Sequence, residues 1–133
     1  MIVADASWVI ALRDPSDPLH EKAISIEGAL GDEVVAPPQL TFSECLVAPA
    51  RLGVLEEAAA ALRAAFDVLV PGAEAPLRWA ELRALENLRL PDAVVLDAAL
   101  QASAELVALD PGLVSAALRR GVPVRSASAD GLG

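Results

Sequence analysis

The sequence predicts one α/β domain of three layers, α/β/α, with a mainly parallel central sheet, spanning residues 1–133. Two observations predict it. Short Val-, Ile- and Leu-rich runs alternate along the chain with longer segments of helical character. The first run, Met1–Ala4, is apolar throughout, as a strand covered on both faces is. No linker, internal repeat or shift in composition suggests a second domain.

Met1–Ala4 reads as the first strand, ending at Asp5, and Ser7–Arg13 as a short helix. Asp14-Pro15-Ser16-Asp17-Pro18 is a turn in which Asp17 caps a second helix running to Gly31. Glu33–Ala36 is a second strand, stopped by Pro37-Pro38. A helix from Gln39 carries Leu40, Cys45 and Leu46 on one side and is kinked or ended by Pro49, with Gly53 as a break. Leu55–Ala65 is an alanine-rich helix, and Phe66–Val70 a third strand closed by Pro71-Gly72. Ala75–Leu88 is helical, with Leu77, Leu82 and Leu85 as core candidates. Leu90-Pro91-Asp92 turns into a helix over Ala93–Ser103. Leu106–Leu109 is a fourth strand with Asp110 at its end, Pro111–Arg120 a helix stopped by Gly121, and Val122–Arg125 a last strand. The small polar tail, residues 126–133, reads as frayed.

Composition excludes several classes. With 55% apolar residues and 3% aromatics, the core must be built from Ala, Val, Leu and Ile, far from the disordered class. No run approaches the roughly 18 apolar residues of a membrane span. The start lacks the basic region of a signal peptide, and Cys45 stands alone, so a reducing, cytoplasmic setting is expected. One His and one Cys leave little for zinc; a metal here would be a hard cation on carboxylates. The net charge of −9 argues against loose binding to nucleic acid. It does not exclude a nuclease, because a divalent ion inverts the sign of an acidic pocket. Lys22 is the only lysine and the other cations are arginines, which bind phosphate bidentately; a genome-wide preference for Arg codons is the readier explanation of the bias.

Four acids carry the chemical interest. Asp5 follows Ile2-Val3-Ala4, Glu44 sits within Leu40–Val47, and Asp110 follows Leu106–Leu109, while Asp92 falls at a helix start. A buried carboxylate must be paired, protonated or metal-bound, and few cations lie beside these positions. Each acid also has a plain explanation: Asp5, Asp92 and Asp110 as caps, and Glu44 on a solvated face. Taken jointly, they suit Mg²⁺, which takes several carboxylates and keeps waters.

Ile2-Val3-Ala4-Asp5-Ala6-Ser7 resembles the opening of PIN domains, especially VapC-type toxins of bacterial toxin–antitoxin pairs. Pro18-Leu19-His20 with Ala23, the Glu44 segment, Leu90-Pro91-Asp92-Ala93, and the stretch from Leu106 through Asp110-Pro111-Gly112-Leu113 to Gly121-Val122-Pro123-Val124 resemble later parts of that family in order. The resemblance implies a dimeric ribonuclease neutralised by an antitoxin protein. Asp5, Glu44, Asp92 and Asp110 would then be the catalytic metal ligands for Mg²⁺ or Mn²⁺, and Ser7 a hydroxyl supporting Asp5. The chain departs from the family pattern at Ala108, where Thr or Ser is usual, and at Asp97, where a small apolar residue is usual. Asp97 lies about 140° round the helix from Asp92, so it is expected to face away from the site. The alternative reading is a catalytically weakened PIN-like domain acting through protein binding. A receiver domain would need paired acids near the first strand and a late lysine, and a haloacid-dehalogenase-like phosphatase Asp-x-Asp; neither pattern is present. His20, Cys45, Trp8 and Trp79 are read as packing residues.

Overall fold

The sheet is centred on β1 (Ile2–Ala4), which pairs in parallel with β2 (Val35–Ala36) on one side and β3 (Glu105–Val107) on the other. β4 (Val124–Arg125) continues the parallel ladder beyond β3, giving the order β2-β1-β3-β4. The computed structural model describes residues 1–125, and the tail that the sequence reads as frayed lies outside the described residues.

Alternation along β1 and β3 divides the core into two layers. Ile2, Ala4 and Val107 face α1 (Ala6–Arg13), α2 (His20–Leu30) and Leu62 of α5 (Leu55–Ala65). Val3, Leu106 and Ala108 face α7 (Leu90–Ala102), α8 (Pro111–Arg119) and Leu82 of α6 (Ala75–Glu86). Trp8 is fully buried in the first layer and donates its indole N–H to the Ala23 carbonyl at 3.2 Å. His20 Nδ1 lies 2.7 Å from the Ala11 carbonyl, tying α2 to α1. Both are packing residues, as expected from sequence. No helix is long and apolar enough, among the described residues, to cross a membrane.

Four expectations need correction. Phe66–Val70 is not a strand: it meets the β2 edge through a single parallel bridge, Pro38 to Leu69. Asp67 N–H donates to the Val35 carbonyl, Leu69 N–H to that of Pro37, and Gln39 N–H to that of Leu69. Pro37 and Pro38 have no N–H to return, so the ladder stops there. Of the two effects expected of Pro49, a kink or an end, only the kink holds. Pro49 sits in the first turn of α4 (Val47–Arg51), and the break falls earlier, at Leu46, after α3 (Gln39–Cys45). The proline lacks the N–H that would bond Cys45, so the irregularity lies one turn upstream of it. On α6, only Leu82 of the three leucines is buried; Leu77 and Leu85 are exposed. The seam against α7 runs through Ala75, Trp79 and Leu82, and the other two lie off that stripe. Finally, β3 begins and ends earlier than expected, so Asp110 lies in the connection beyond the strand rather than at its last residue.

Candidate metal centre

β1 runs to one side into β2, and the chain returns to β3 on the other side, so the order reverses between β1 and β3. A crevice opens at such a switch point, outside the carboxyl ends of the strands. Asp5 leaves β1 there, its backbone N–H bonded to the Val107 carbonyl at 3.0 Å. Asp110 reaches the same place from the β3–α8 connection. Glu44 comes from α3 and Asp92 from the first turn of α7. Asp5, Ser7, Glu44, Asp92, Asp110 and Arg89 line one cavity of about 360 Å³.

Two of the acids are also helix caps. Asp5 accepts the Ser7 N–H at 3.2 Å and the Ser7 hydroxyl at 2.6 Å, which opens α1. Asp110 accepts the Leu113 N–H at 3.1 Å, which opens α8. The two capping acids therefore also line the cavity. Asp92 differs: it is the third residue of α7, and the capping position belongs to Arg89, whose side chain makes no cap bond. Ser7 joins the two central loops, since its hydroxyl oxygen accepts the Leu109 N–H at 3.0 Å while its proton goes to Asp5.

The electrostatics are those of a crowded acidic pocket. Burial raises the Asp5 carboxyl above its ordinary value, against the bonds from Ser7 and Ala6, and the Asp110 charge adds to the rise. Burial likewise raises Glu44, reinforced by Asp5 and Asp92 and opposed by Arg89. Asp92 is raised by burial, with Arg89 opposing and Asp110 and Asp5 reinforcing. Cys45, beside Glu44, is pushed up to about 12 by burial and by the Glu44 and Asp5 charges, which leaves an unreactive thiol.

Chemically the donor set fits a hard divalent cation: oxygen ligands only, several carboxylates, one cavity. Among the described residues, no three acidic, His or Cys side chains converge closely enough to hold an ion as they stand. Each acid is engaged locally instead: Asp5 by Ser7, Asp110 by Leu113, and Asp92 by Arg89, whose Nε lies 3.4 Å from Oδ2.

Asp97 does not line this cavity. It is buried against Arg78, with Nε to Oδ1 at 2.7 Å and a second bond to Oδ2 at 3.3 Å. The pair borders a different cavity, of about 270 Å³, beside Trp79 and Leu40. Arg89 went unremarked in the sequence. The available signal was an arginine three residues before an acid at a helix start, which puts both on one side of the first turn.

The family profile described as PIN domain matches residues 2–118. No curated protein sequence matches the chain significantly. Among solved structures, the chain is similar to VapC20 of Mycobacterium tuberculosis, described as a sarcin–ricin loop cleaving toxin: TM-score 0.73, 21% identity, 87% of this chain and 95% of that one. It is similar to FitAcB from Neisseria gonorrhoeae, with TM-score 0.76 and 20% identity over 96% of this chain and 98% of that one. A toxin–antitoxin complex from Klebsiella pneumoniae matches with TM-score 0.65 and 21% identity, over 84% of this chain and 94% of that one.

Proposed function

The chain belongs to the PIN domain family, and from that premise we propose that it is a cytoplasmic, metal-dependent endoribonuclease, the toxin of a type II toxin–antitoxin pair. The observation that carries the reading is the gathering of Asp5, Glu44, Asp92 and Asp110, from four separate segments, around one pocket. The similarity to a toxin described as cleaving the sarcin–ricin loop supports RNA as the substrate class.

The four acids would hold Mg²⁺, with Mn²⁺ substituting. When bound, the ion supplies Lewis acidity at a phosphoryl oxygen and lowers the pKa of water. Ser7 orients Asp5 through its short bond to Oδ2 and favours the ionised carboxylate against the burial that raises it. Glu44, half-buried in the same cavity, would complete the set of oxygen ligands. Purified protein freed of antitoxin should cleave structured RNA with Mg²⁺ or Mn²⁺ and be silenced by EDTA. Asp92→Asn should lower the rate by at least about tenfold, since it removes a ligand and keeps the shape. Undiminished cleavage by the Asp5→Asn, Asp92→Asn double variant would end the assignment.

The partner half of the proposal is a small antitoxin, encoded nearby, that inserts an Arg or Lys among the acids. Co-purification from the native host tests it, and neighbouring reading frames whose products do not bind would remove its support. A homodimer is proposed as well, in keeping with the exposed Leu77 and Leu85 on α6, and sedimentation at micromolar concentration tests it. The weakened-catalysis alternative is favoured by Ala108, buried where a hydroxyl is usual. It predicts antitoxin binding without metal-dependent cleavage.

A further inference from the structure

Among the described residues, the arginines that meet a carboxylate fall into two groups by how tightly that partner holds them. Arg78 is closed on Asp97 at 2.7 Å, Arg119 and Arg120 on Glu86 at 2.8 Å, and Arg125 on Glu33 and Glu105 at 2.8 and 3.0 Å. Arg89 makes one long contact, 3.4 Å from Nε to Asp92, and its side chain is 76% exposed. Its terminal nitrogens have no hydrogen-bond partner among the described residues. The root of the side chain is nevertheless fixed, because the Arg89 carbonyl accepts the Ala93 N–H at 3.1 Å and opens α7. Arg89 is also the only cationic residue lining the acid cavity among the described residues.

The charge count gives this residue a task. Four ionised acids carry −4, and one divalent ion leaves −2, in a chain whose total is −9. A phosphodiester entering that pocket is repelled unless a further cation meets it. A guanidinium presents a planar fork of donors that matches two phosphate oxygens. Resting on the nuclease reading above, we propose that Arg89 is the phosphate-binding residue of the pocket: it screens Asp92 when no ion is present, and turns its guanidinium to a phosphate of the RNA strand when a divalent ion takes over the acids.

The exchange has consequences that a purely structural arginine lacks. In the Arg89→Ala protein the acids lose a competing cation, so Mn²⁺ binds a few-fold tighter by calorimetry. A fluorescent oligoribonucleotide, titrated in Ca²⁺ and read by anisotropy, binds roughly tenfold more weakly, as expected for the loss of a charge-assisted bond. The slope of log affinity against log salt becomes shallower by about 0.7, one phosphate contact on a single strand. Arg89→Lys restores the slope but only part of the affinity, because it keeps the charge and loses the fork. Cleavage in Mn²⁺ is followed in parallel. If Arg89→Ala binds Mn²⁺ normally and RNA with unchanged affinity and slope, the inference is overturned, while cleavage by the wild type leaves the nuclease reading standing. A wild type that neither binds RNA in Ca²⁺ nor cleaves it in Mn²⁺ overturns both.

Discussion

Helix α7 buries two aspartates, Asp92 and Asp97, and each meets an arginine, but the two pairs are not alike. Asp97 is gripped by two hydrogen bonds, and its Arg78 is only 36% exposed. Asp92 is scarcely more open than Asp97, 8% against 6% for the side chains, yet its Arg89 makes one long contact and stays in solvent. Asp92 also shares its cavity with three other acids, two of which push its proton affinity up. A buried carboxylate closed over by its own cation has its charge met. One whose cation stands off keeps a demand for positive charge, which a divalent ion or an inserted side chain can meet.

The largest expected effect separates the two sites by that demand. Mn²⁺ at about a hundred times its dissociation constant should stabilise the wild type by roughly 2.7 kcal/mol, because it binds the folded state. Asp97→Asn should keep this shift, and Asp92→Asn should lose most of it. Melting curves in EDTA and in Mn²⁺ decide the matter; a wild type that does not respond across the millimolar range counts against a shared site.

Next comes the structural pair itself. Asp97→Asn strips the charge partner from Arg78 and should cost about 2 kcal/mol in denaturant unfolding, moderated because Arg78 retains water. Asp92→Asn should leave the metal-free protein level or more stable, since it removes a charge from a repelling cluster. Equal destabilisation by the two changes would erase the distinction between them. Ser7→Ala is a smaller probe of the acid site. It deletes the hydroxyl that serves Asp5 and leaves the Leu109 N–H unmet, a loss of about 1 kcal/mol. Urea melts would read it, and no change would mean that the two loops do not depend on that link.

Much of this was legible in the sequence, for local reasons. β1, α1, α5 and α8 are short segments with a clear local pattern, and α1 and α8 also carry the caps Asp5 and Asp110, so their bounds fall within a residue or two of the expected ones. The sheet edge was not legible, because whether Phe66–Val70 forms a strand depends on its neighbour, and Pro37-Pro38 offers no donors. Leu77 and Leu85 misled because leucine spacing alone does not say which stripe of α6 meets α7. The four acids were singled out by their apolar settings and by the family resemblance, and the fold brings all four to the lining of one cavity. The Arg78–Asp97 pair joins two helices and leaves no local trace. Arg89 did leave one, three residues before Asp92, but nothing in the sequence says that its contact is loose.

The smallest effect is the pH dependence of the metal-free protein, and its sign differs between the acid cluster and the surface pairs. Asp5, Glu44 and Asp92 have folded values raised above the ordinary 3.8 or 4.5, by burial first and then by neighbouring acid charges: Asp110 on Asp5, Asp5 and Asp92 on Glu44, and Asp110 and Asp5 on Asp92. Such groups take up protons in the folded state before the unfolded one, so stability rises as pH falls from neutrality through their folded values. That gain is complete only below the unfolded values. Glu86, lowered by its bonds from Arg120 and Arg119, and Asp14, lowered by the Ser16 hydroxyl and N–H, act oppositely. Their contribution is present above the ordinary carboxylate range and is lost as pH falls through their folded values. In EDTA the stability curve should therefore climb from pH 7 into the mildly acid range before it turns down. Asp92→Asn should flatten the climb, and Glu86→Gln the descent. Saturating Mn²⁺ should abolish the climb, since the ion prefers the ionised cluster and protons then compete with it. A metal-free curve that is flat or falling from pH 7 to about pH 5 would mean that the acids do not share a field, and that Asp92 is no more exceptional than Asp97.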